Sequence, residues 1–206
     1  MAYFAQISLD FYKNHLDCTM PRKIKSATIF VIKEYLEKSK GEEYEDYDPE
    51  TVCRFISADT NIVVLSPASV WQEVRKIGGG NNYIQFNIHT VWTENGIKFT
   101  AVKAEHSDIS AIGVIIDDGD KKYYVTGDTL YNEEIFGDIP NDIYAVFLPV
   151  NGVGNNMNMT DAARFAKRIN AERTVPMHIG MFDEITADEF DCENKIIANI
   201  YEEIKL

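Results

Sequence analysis

The fold of this chain is decided by a short stretch, Tyr124-Val125-Thr126-Gly127-Asp128-Thr129, which has the pattern of a strand that ends in a sharp turn. Glycine lets the backbone turn at once, so the turn aims the following carboxylate off the end of the strand. Residues 104–108 and 175–180 have the same pattern, but they present a histidine, His106 and His178. We therefore predict that His106, Asp128 and His178 lie along one rim of a sheet.

These three side chains are suitable metal ligands. Neutral imidazole and carboxylate bind zinc, manganese or iron. Three such ligands and one open position are enough for a metal to activate water for attack on a carbonyl or phosphoryl centre. Taken singly, each segment is more often structural, a hydrogen-bonded histidine or a plain turn. The chain contains 4 histidines, and no two of them form a His-x-His pair.

Composition limits the classes of function. A chain of 206 residues with 45% hydrophobic content is long enough to fold around a substantial core. The formal net charge of −13 argues against nucleic acid and anionic membranes as partners, because both require clustered Lys and Arg. A small-molecule substrate of unknown identity is therefore expected.

The cysteines and the N-terminus bear on the compartment. Cys18, Cys53 and Cys192 are widely spaced, so they indicate neither a zinc knuckle nor a disulfide framework. No signal-peptide pattern and no apolar stretch long enough to span a bilayer is found in the sequence. We expect a cytoplasmic protein with reduced cysteines.

Strands dominate the predicted organisation, and helices flank them on both sides. The strands are predicted over residues 5–12, 26–32, 61–65, 83–88, 97–102, 111–116, 122–126, 143–149 and 173–177. Hairpin turns are predicted at residues 94–96 and 117–120, and an acidic loop at residues 41–50. Helices are predicted to start at residue 48, at residues 67–69 (ended by glycines 78–80), at residue 161 with Thr160 as the cap, and near residue 192. The pattern favours a single domain over residues 1–206.

Residues 61–182 resemble the metallo-β-lactamase superfamily, in particular its ascorbate-6-phosphate lactonase-like branch. The matching segments are Ala104-Glu105-His106-Ser107-Asp108, Tyr124-Val125-Thr126-Gly127-Asp128-Thr129-Leu130-Tyr131, Pro149-Val150-Asn151-Gly152, Gly154-Asn155-Asn156-Met157-Asn158 and Pro176-Met177-His178. The resemblance implies an α/β fold, an αββα four-layer sandwich with a metal site at one rim. It also implies that His106 is the later histidine of the first metal site, Asp128 the bridging carboxylate and His178 the last histidine of the second site. Asn156 and Asn158 would then lie near the rim, either as helix caps or in contact with substrate.

The chain departs from this family at its signature, His-x-His-x-Asp-His, and the resemblance therefore implies that residues 1–50 are divergent or truncated. In one alignment register, Lys33–Lys38 occupies the position of this signature. In the other register, Glu43–Asp46 occupies that position, and an Asp-Pro-Glu sequence typical of the family follows it. Lysine there would oppose a cation or replace one of the two metals. Carboxylates there would supply oxygen ligands, which favour Mn²⁺ or Mg²⁺ over zinc.

Two functions follow, and they remain open from the sequence. The first is a hydrolase in which zinc or manganese, held by His106, Asp128 and His178, activates water against a lactone, ester, amide or phosphoester, with Asp128 as the catalytic carboxylate. The second is a catalytically silent relative that acts as a binding scaffold or homo-oligomer. The three late ligands favour the first, and the missing signature favours the second. A chain that begins late or is rearranged relative to an intact gene is a third reading of the divergent N-terminal part.

Overall fold

The computed structural model describes residues 28–30, 63–179, 186–198, 204 and 206. The predicted strand at residues 5–12, the acidic loop at residues 41–50 and both registers of the missing signature lie outside the described residues. The chain divides into two compact units, Met1–Asn87 and Ile88–Leu206. No helix in the described part of the chain is long and apolar enough to cross a membrane.

The first unit contains a parallel sheet of three strands in the order β1-β2-β3: β1 (Thr28–Phe30), β2 (Val63–Ser66) and β3 (Asn82–Gln85). All four residues of β2 are buried, as expected for a short apolar strand between two neighbours. Parallel neighbours require a crossover, and helix α1 (Ala68–Val74) with the 3₁₀ turn Arg75–Ile77 supplies it between β2 and β3. Gly78 ends this segment with φ 72°, as predicted from the glycine run.

The second unit contains a mixed sheet of six strands in the order β4-β5-β6-β7-β8-β9. The strands are β4 (Val91–Glu94), β5 (Ile97–Lys103), β6 (Ile112–Asp117), β7 (Lys122–Val125), β8 (Ala145–Pro149) and β9 (Arg173–Met177). The four strands β4 to β7 form an antiparallel meander, whereas β7, β8 and β9 are parallel. The 3₁₀ turns Glu133–Gly137 and Ala187–Glu189 lie outside the sheet.

Helix α2 (Met159–Ile169) forms the crossover from β8 to β9. Its buried residues share one face at helical spacing: Ala162, Phe165, Ala166 and Ile169. This face belongs to the main core of the unit, in which Phe165 contacts the ring of Tyr124 from β7 with a centroid distance of 6.3 Å. The predicted helix and its buried face are thus confirmed.

The cap of α2 differs from the prediction. Asn158, not Thr160, is the N-cap, and its side chain accepts a hydrogen bond from the amide of Asp161 at 2.9 Å. Both residue types suit a cap, but Asn158 has the extended backbone (φ −74°, ψ 170°) that the position requires.

The prediction for residues 83–97 was partly wrong, because it omitted β4. The chain leaves the first sheet after Gln85, and β4 pairs with β5 through a turn at Asn95 and Gly96. Both turn residues have positive φ (51° and 87°), as the tight hairpin predicted here requires. His89 therefore lies in an exposed turn instead of a strand, where its Nε2 is 3.0 Å from Asp138 Oδ2.

The predicted C-terminal helix was also wrong in its described part, because residues 192–198 are not helical. The backbone of this segment instead pairs with β9: Thr174 N donates to Asn194 O at 3.0 Å, and Ile196 N donates to Thr174 O at 2.8 Å. Lys195 forms an isolated parallel bridge with Thr174. The free edge of β9 thus holds the segment extended, since its unpaired backbone groups need partners.

Candidate metal site

The direction of the strands brings the predicted ligands to one edge of the six-stranded sheet. Strand β6 runs against both β5 and β7, so β5 and β7 run the same way, and β8 and β9 are parallel to β7. The carboxyl ends of β5, β7, β8 and β9 therefore share one edge. His106 lies three residues beyond β5, Asp128 three residues beyond β7, and His178 directly beyond β9.

Asp128 and His178 are in contact at this edge. Nε2 of His178 lies 2.8 Å from Oδ1 of Asp128, and their side chains are only 11% and 10% exposed, respectively. Nε2 of His178 is nevertheless buried without a hydrogen-bond partner, so the ring nitrogen is directed past the oxygen and not at it. Two ligands of one zinc ion have this arrangement, because each is about 2 Å from the ion and roughly 3 Å from the other.

Backbone geometry fixes both side chains. Gly127 has φ 66°, which confirms the sharp turn predicted immediately before Asp128. His178 has φ 57°, a left-handed conformation that costs about 1–3 kcal/mol in a residue other than glycine. Strain of this kind persists where the surrounding structure requires a particular side-chain direction. Here it turns the imidazole toward Asp128 as soon as β9 ends.

His106 has a different environment. The amide of Asp108 donates a hydrogen bond to Nδ1 of His106 at 2.8 Å. Burial lowers the pKa of His106, and the opposing effect of the Asp128 and Asp108 carboxylates, which raise it, is smaller. The imidazole is therefore neutral at pH 7 and carries its single proton on Nε2, because Nδ1 accepts. A metal binds the nitrogen that has no proton, so this orientation does not suit ligation through Nε2.

The residues therefore fit a metal only in part. In the segments that the structure describes, no three His, Cys, Asp or Glu side chains form a group able to hold an ion. Strands β7 and β9 are two spacings apart, roughly 10 Å, whereas β5 and β9 are four apart, roughly 19 Å, so only the loops beyond the strands could bring His106 to His178. Asp128 and His178 are in contact, and the charge of Asp128 also acts on His106. The three-residue ligand set remains a prediction.

Sequence reasoning missed Thr129, which joins the loops of the site. This fully buried side chain accepts a hydrogen bond from Glu105 N at 2.8 Å and donates one to Leu130 O at 3.0 Å. Its own carbonyl accepts from Met157 N at 3.0 Å. The only sequence signal was its place after Gly-Asp, where a threonine is also common in ordinary turns. It links the loops after β5, β7 and β8 next to the predicted ligands.

The two asparagines that the resemblance places near the rim follow β8, and they have different environments. Asn158 is a helix cap. Asn156 is only 8% exposed, and its side-chain oxygen is buried without a hydrogen-bond partner. A buried acceptor without a partner is unfavourable for stability, so packing alone does not explain why an asparagine occupies this position. The neighbouring Asn155 donates to Ser107 Oγ at 3.0 Å, which fixes this loop against the loop of His106.

Comparison with known proteins identifies the fold. A UPF0173 metal-dependent hydrolase of Bacillus mycoides is 27% identical over 168 residues, which are 73% of this chain and 70% of the relative. The metallo-β-lactamase fold protein YhfI of Bacillus subtilis superposes with a TM-score of 0.57 at 17% identity, covering 73% of this chain and 68% of that protein. The metallo hydrolase Igni18 of Ignicoccus hospitalis has a TM-score of 0.53 at 24% identity, covering 63% of this chain and 57% of that protein. These structures confirm the predicted α/β fold of the metallo-β-lactamase type.

The family itself is established by a separate match. Residues 50–179 match the family described as Beta-lactamase superfamily domain. This range is more than half of the chain, and it contains His106, Asp128 and His178. The chain belongs to the β-lactamase superfamily domain family.

Proposed function

We propose that this protein is a metal-dependent hydrolase, and that Asp128 and His178 form the part of its site that binds the metal. The supporting observation is the buried contact at 2.8 Å between His178 Nε2 and Asp128 Oδ1, in which the ring nitrogen makes no hydrogen bond. The Bacillus relatives to which the chain is similar are named metal-dependent hydrolases. The proposed metal is zinc or manganese, which suit imidazole and carboxylate ligands. Such a metal supplies Lewis acidity toward a lactone, ester, amide or phosphoester.

The protein's own residues have distinct parts in this proposal. Asp128 and His178 bind the ion, Thr129 joins the loop of Asp128 to the loops after β5 and β8, and the left-handed backbone at residue 178 directs the imidazole. His106 becomes a third ligand only if its proton leaves Nε2, which requires the hydrogen bond from Asp108 to be rearranged. The carboxylates of Glu43–Asp46 are alternative ligands from the sequence, and they lie outside the described residues. The lactonase-like branch remains a proposal.

A second candidate is a catalytically silent member of the family, with the fold retained for binding. A specific observation favours it: the described residues hold no group of three side chains suited to a metal, and His106 Nδ1 accepts a hydrogen bond where a bound histidine would donate one. The two candidates differ in one measurable property, which is stoichiometric metal binding.

Metal binding by the full-length protein tests the proposal. Titration calorimetry with Zn²⁺ and with Mn²⁺ should give about one equivalent for the wild type. Asp128→Asn and His178→Ala should each weaken binding by well over tenfold, since even residues that merely support a ligand contribute 10- to 100-fold. His89→Ala is the matched control, because His89 also contacts an aspartate, at 3.0 Å, but on the exposed surface.

Each outcome separates the candidates. No binding of either ion by the wild type would refute the hydrolase proposal and leave the silent relative. Binding that Asp128→Asn and His178→Ala do not affect would place the metal elsewhere. His106→Ala completes the series: a loss equal to that of His178→Ala would show that His106 is a ligand despite its orientation here. Hydrolysis of ester, lactone and phosphodiester substrates by the metal-loaded protein then identifies the reaction.

A further inference from the structure

One edge of the six-stranded sheet is formed by β9, the outermost strand on that side in the part of the chain that the structure describes. The carbonyl of Met177 points toward the β8 side, where it accepts a hydrogen bond from Val150 N at 3.2 Å. Backbone groups alternate between the two sides of a strand, so those of Thr174 and Pro176 point outward. An outer edge of this kind is a template to which another chain can add a strand.

The chain covers this outer edge with its own residues 190–196, which we call the edge cover. Thr174 N donates to Asn194 O at 3.0 Å, and Ile196 N donates to Thr174 O at 2.8 Å. Pro176, the next residue of β9 that faces outward, has no N–H to donate. The edge cover and this proline together leave β9 without an outward N–H for a second chain.

Side chains fix the edge cover in place. Phe190 is fully buried and belongs to the main core of the second unit. Asn194 donates from Nδ2 to Ala171 O at 2.6 Å, and its Oδ1 accepts from Thr174 Oγ1 at 3.2 Å. Lys195 Nζ donates to Phe190 O at 2.7 Å, so the buried and the paired parts of the edge cover are joined. The edge cover is thus anchored by packing and by side-chain hydrogen bonds as well as by its backbone.

The extended conformation of the edge cover opposes its local sequence preference. The pattern from residue 192 onward is compatible with a helix, whereas residues 192–198 are not helical. In natural proteins local preference and fold normally agree, and exceptions are expected where a segment serves a function. A helix would satisfy its own backbone groups, but it would leave the N–H and C=O of Thr174 without these partners. Closing the edge of β9 therefore accounts for the extended conformation.

We propose that the edge cover prevents β9 from pairing with a second copy of this chain, and that the protein self-associates through β9 when the edge cover is released. The second copy is the partner because it brings the same open edge. Two Thr174 residues that face each other across a twofold axis can exchange both N–H···O bonds, which replaces the two bonds that each of them loses. This self-association involves only the sheet edge, so it depends neither on metal binding nor on the proposed function.

Two full-length double variants test this proposal. Asn194→Ala/Ile196→Pro removes the side-chain bonds of Asn194 and the N–H that donates to Thr174 O. Asn158→Ala/Ile197→Pro is the matched control, because it makes the same substitutions at the cap of α2 and at an exposed residue directly after the edge cover. In size-exclusion chromatography with light scattering, the mass of the first variant should rise about twofold as the protein concentration is raised. The wild type and the control should each keep one mass throughout.

Hydrogen exchange of the Thr174 amide shows whether β9 is the surface involved. At low concentration this amide should exchange at least about fivefold faster in Asn194→Ala/Ile196→Pro than in the wild type, since its acceptor is released. At high concentration its protection should return, because the second copy then supplies the acceptor.

Three kinds of result would overturn the proposal. If the Thr174 amide exchanges at the wild-type rate in Asn194→Ala/Ile196→Pro, the edge cover does not close the edge. If the mass stays constant while this amide exchanges faster, the open edge takes no partner. If the control associates equally, or if the mass rises without renewed protection of Thr174, association uses another surface. Asn194→Ala alone is read by the same criteria if the double variant does not fold.

Discussion

Replacing Tyr124 by phenylalanine should make this protein more stable. Tyr124 is completely buried in the core of the second unit, and its hydroxyl oxygen is buried without a hydrogen-bond partner. Burying a hydroxyl without a partner costs about 1–3 kcal/mol in proteins. Phenylalanine keeps the ring and its contact with Phe165, whose centroid is 6.3 Å away, and it removes the unsatisfied group. We therefore expect Tyr124→Phe to raise the free energy of unfolding by about 1–3 kcal/mol.

Urea and thermal unfolding measure this gain. For a protein of this size, each kcal/mol raises Tm by about 2–4 °C. Tyr123→Phe is the matched control, because Tyr123 is the preceding residue of β7, faces the other side of the sheet and packs edge-on against Tyr144 at 5.9 Å. It should give no increase in Tm. A decrease of 1 kcal/mol or more for Tyr124→Phe would show that the hydroxyl has a partner, and the reasoning from burial would be refuted.

The same residue predicts loss of stability at high pH. Burial raises the pKa of Tyr124 far above its usual range, and burial is also the main cause that raises the pKa of Tyr123 to about 12. Unfolded tyrosine loses its proton near pH 10, so above this pH the unfolded chain binds fewer protons than the folded chain. Stability that is fully present below pH 10 should then fall by up to about 1.4 kcal/mol per pH unit for each such tyrosine. Tyr124→Phe should remove one of these contributions from a urea series between pH 9 and 12.

Three further substitutions test the structure by urea unfolding. Asn158→Ala should lower the free energy of unfolding by about 0.5–2 kcal/mol, because it removes the helix cap. Thr160→Ala, at the cap predicted from the sequence, should change it by no more than about 0.5 kcal/mol. The reverse order would refute the cap assignment. Gly113→Ala should lower the free energy of unfolding by about 1–3 kcal/mol, because the added Cβ would lie 2.9 Å from a ring carbon of Tyr124. An unchanged stability would contradict this packing. Thr129→Val should lower the free energy of unfolding by about 1–3 kcal/mol, because the partly buried amide of Glu105 loses its acceptor. Thr129→Ser keeps the hydroxyl and should lower it by about 1 kcal/mol. Equal losses would mean that the hydroxyl is not the part that matters.

Much of the fold could be predicted from local patterns. Strand β9 was predicted over the residues it occupies, and the buried face of α2 follows from apolar residues at helical spacing. The errors occurred where a distant contact decides the conformation. Residues 192–198 have a sequence compatible with a helix, but their backbone pairs with the free edge of β9. Strand β4 was missed because it alternates between exposed and partly buried residues and so lacks a continuous apolar run.

The strand ends of the candidate site could be predicted from the sequence, but their arrangement could not. Asp128, His106 and His178 each follow a strand, as predicted, and their role as a ligand set stays a prediction. Which of them meet depends on the order of strands in the sheet, which no local pattern contains. The orientation of His106 depends on one amide two residues away. Thr129 acts through backbone groups of other loops, so only the folded chain reveals it.

The mixed sheet also sets the order in which this site can assemble during folding. Strands β4 to β7 are joined by short hairpin connections, which close early because little chain entropy is lost. The parallel pairings of β7 with β8 and of β8 with β9 each need a longer connection, residues 126–144 and 150–172, and contacts of that kind form late. Asp128 follows the strand at the boundary of these two halves, and His178 follows the last strand of the slower one. On the ribosome, the pair cannot meet until the chain beyond residue 178 has emerged, so any metal would be acquired at the end of folding and could not guide its beginning.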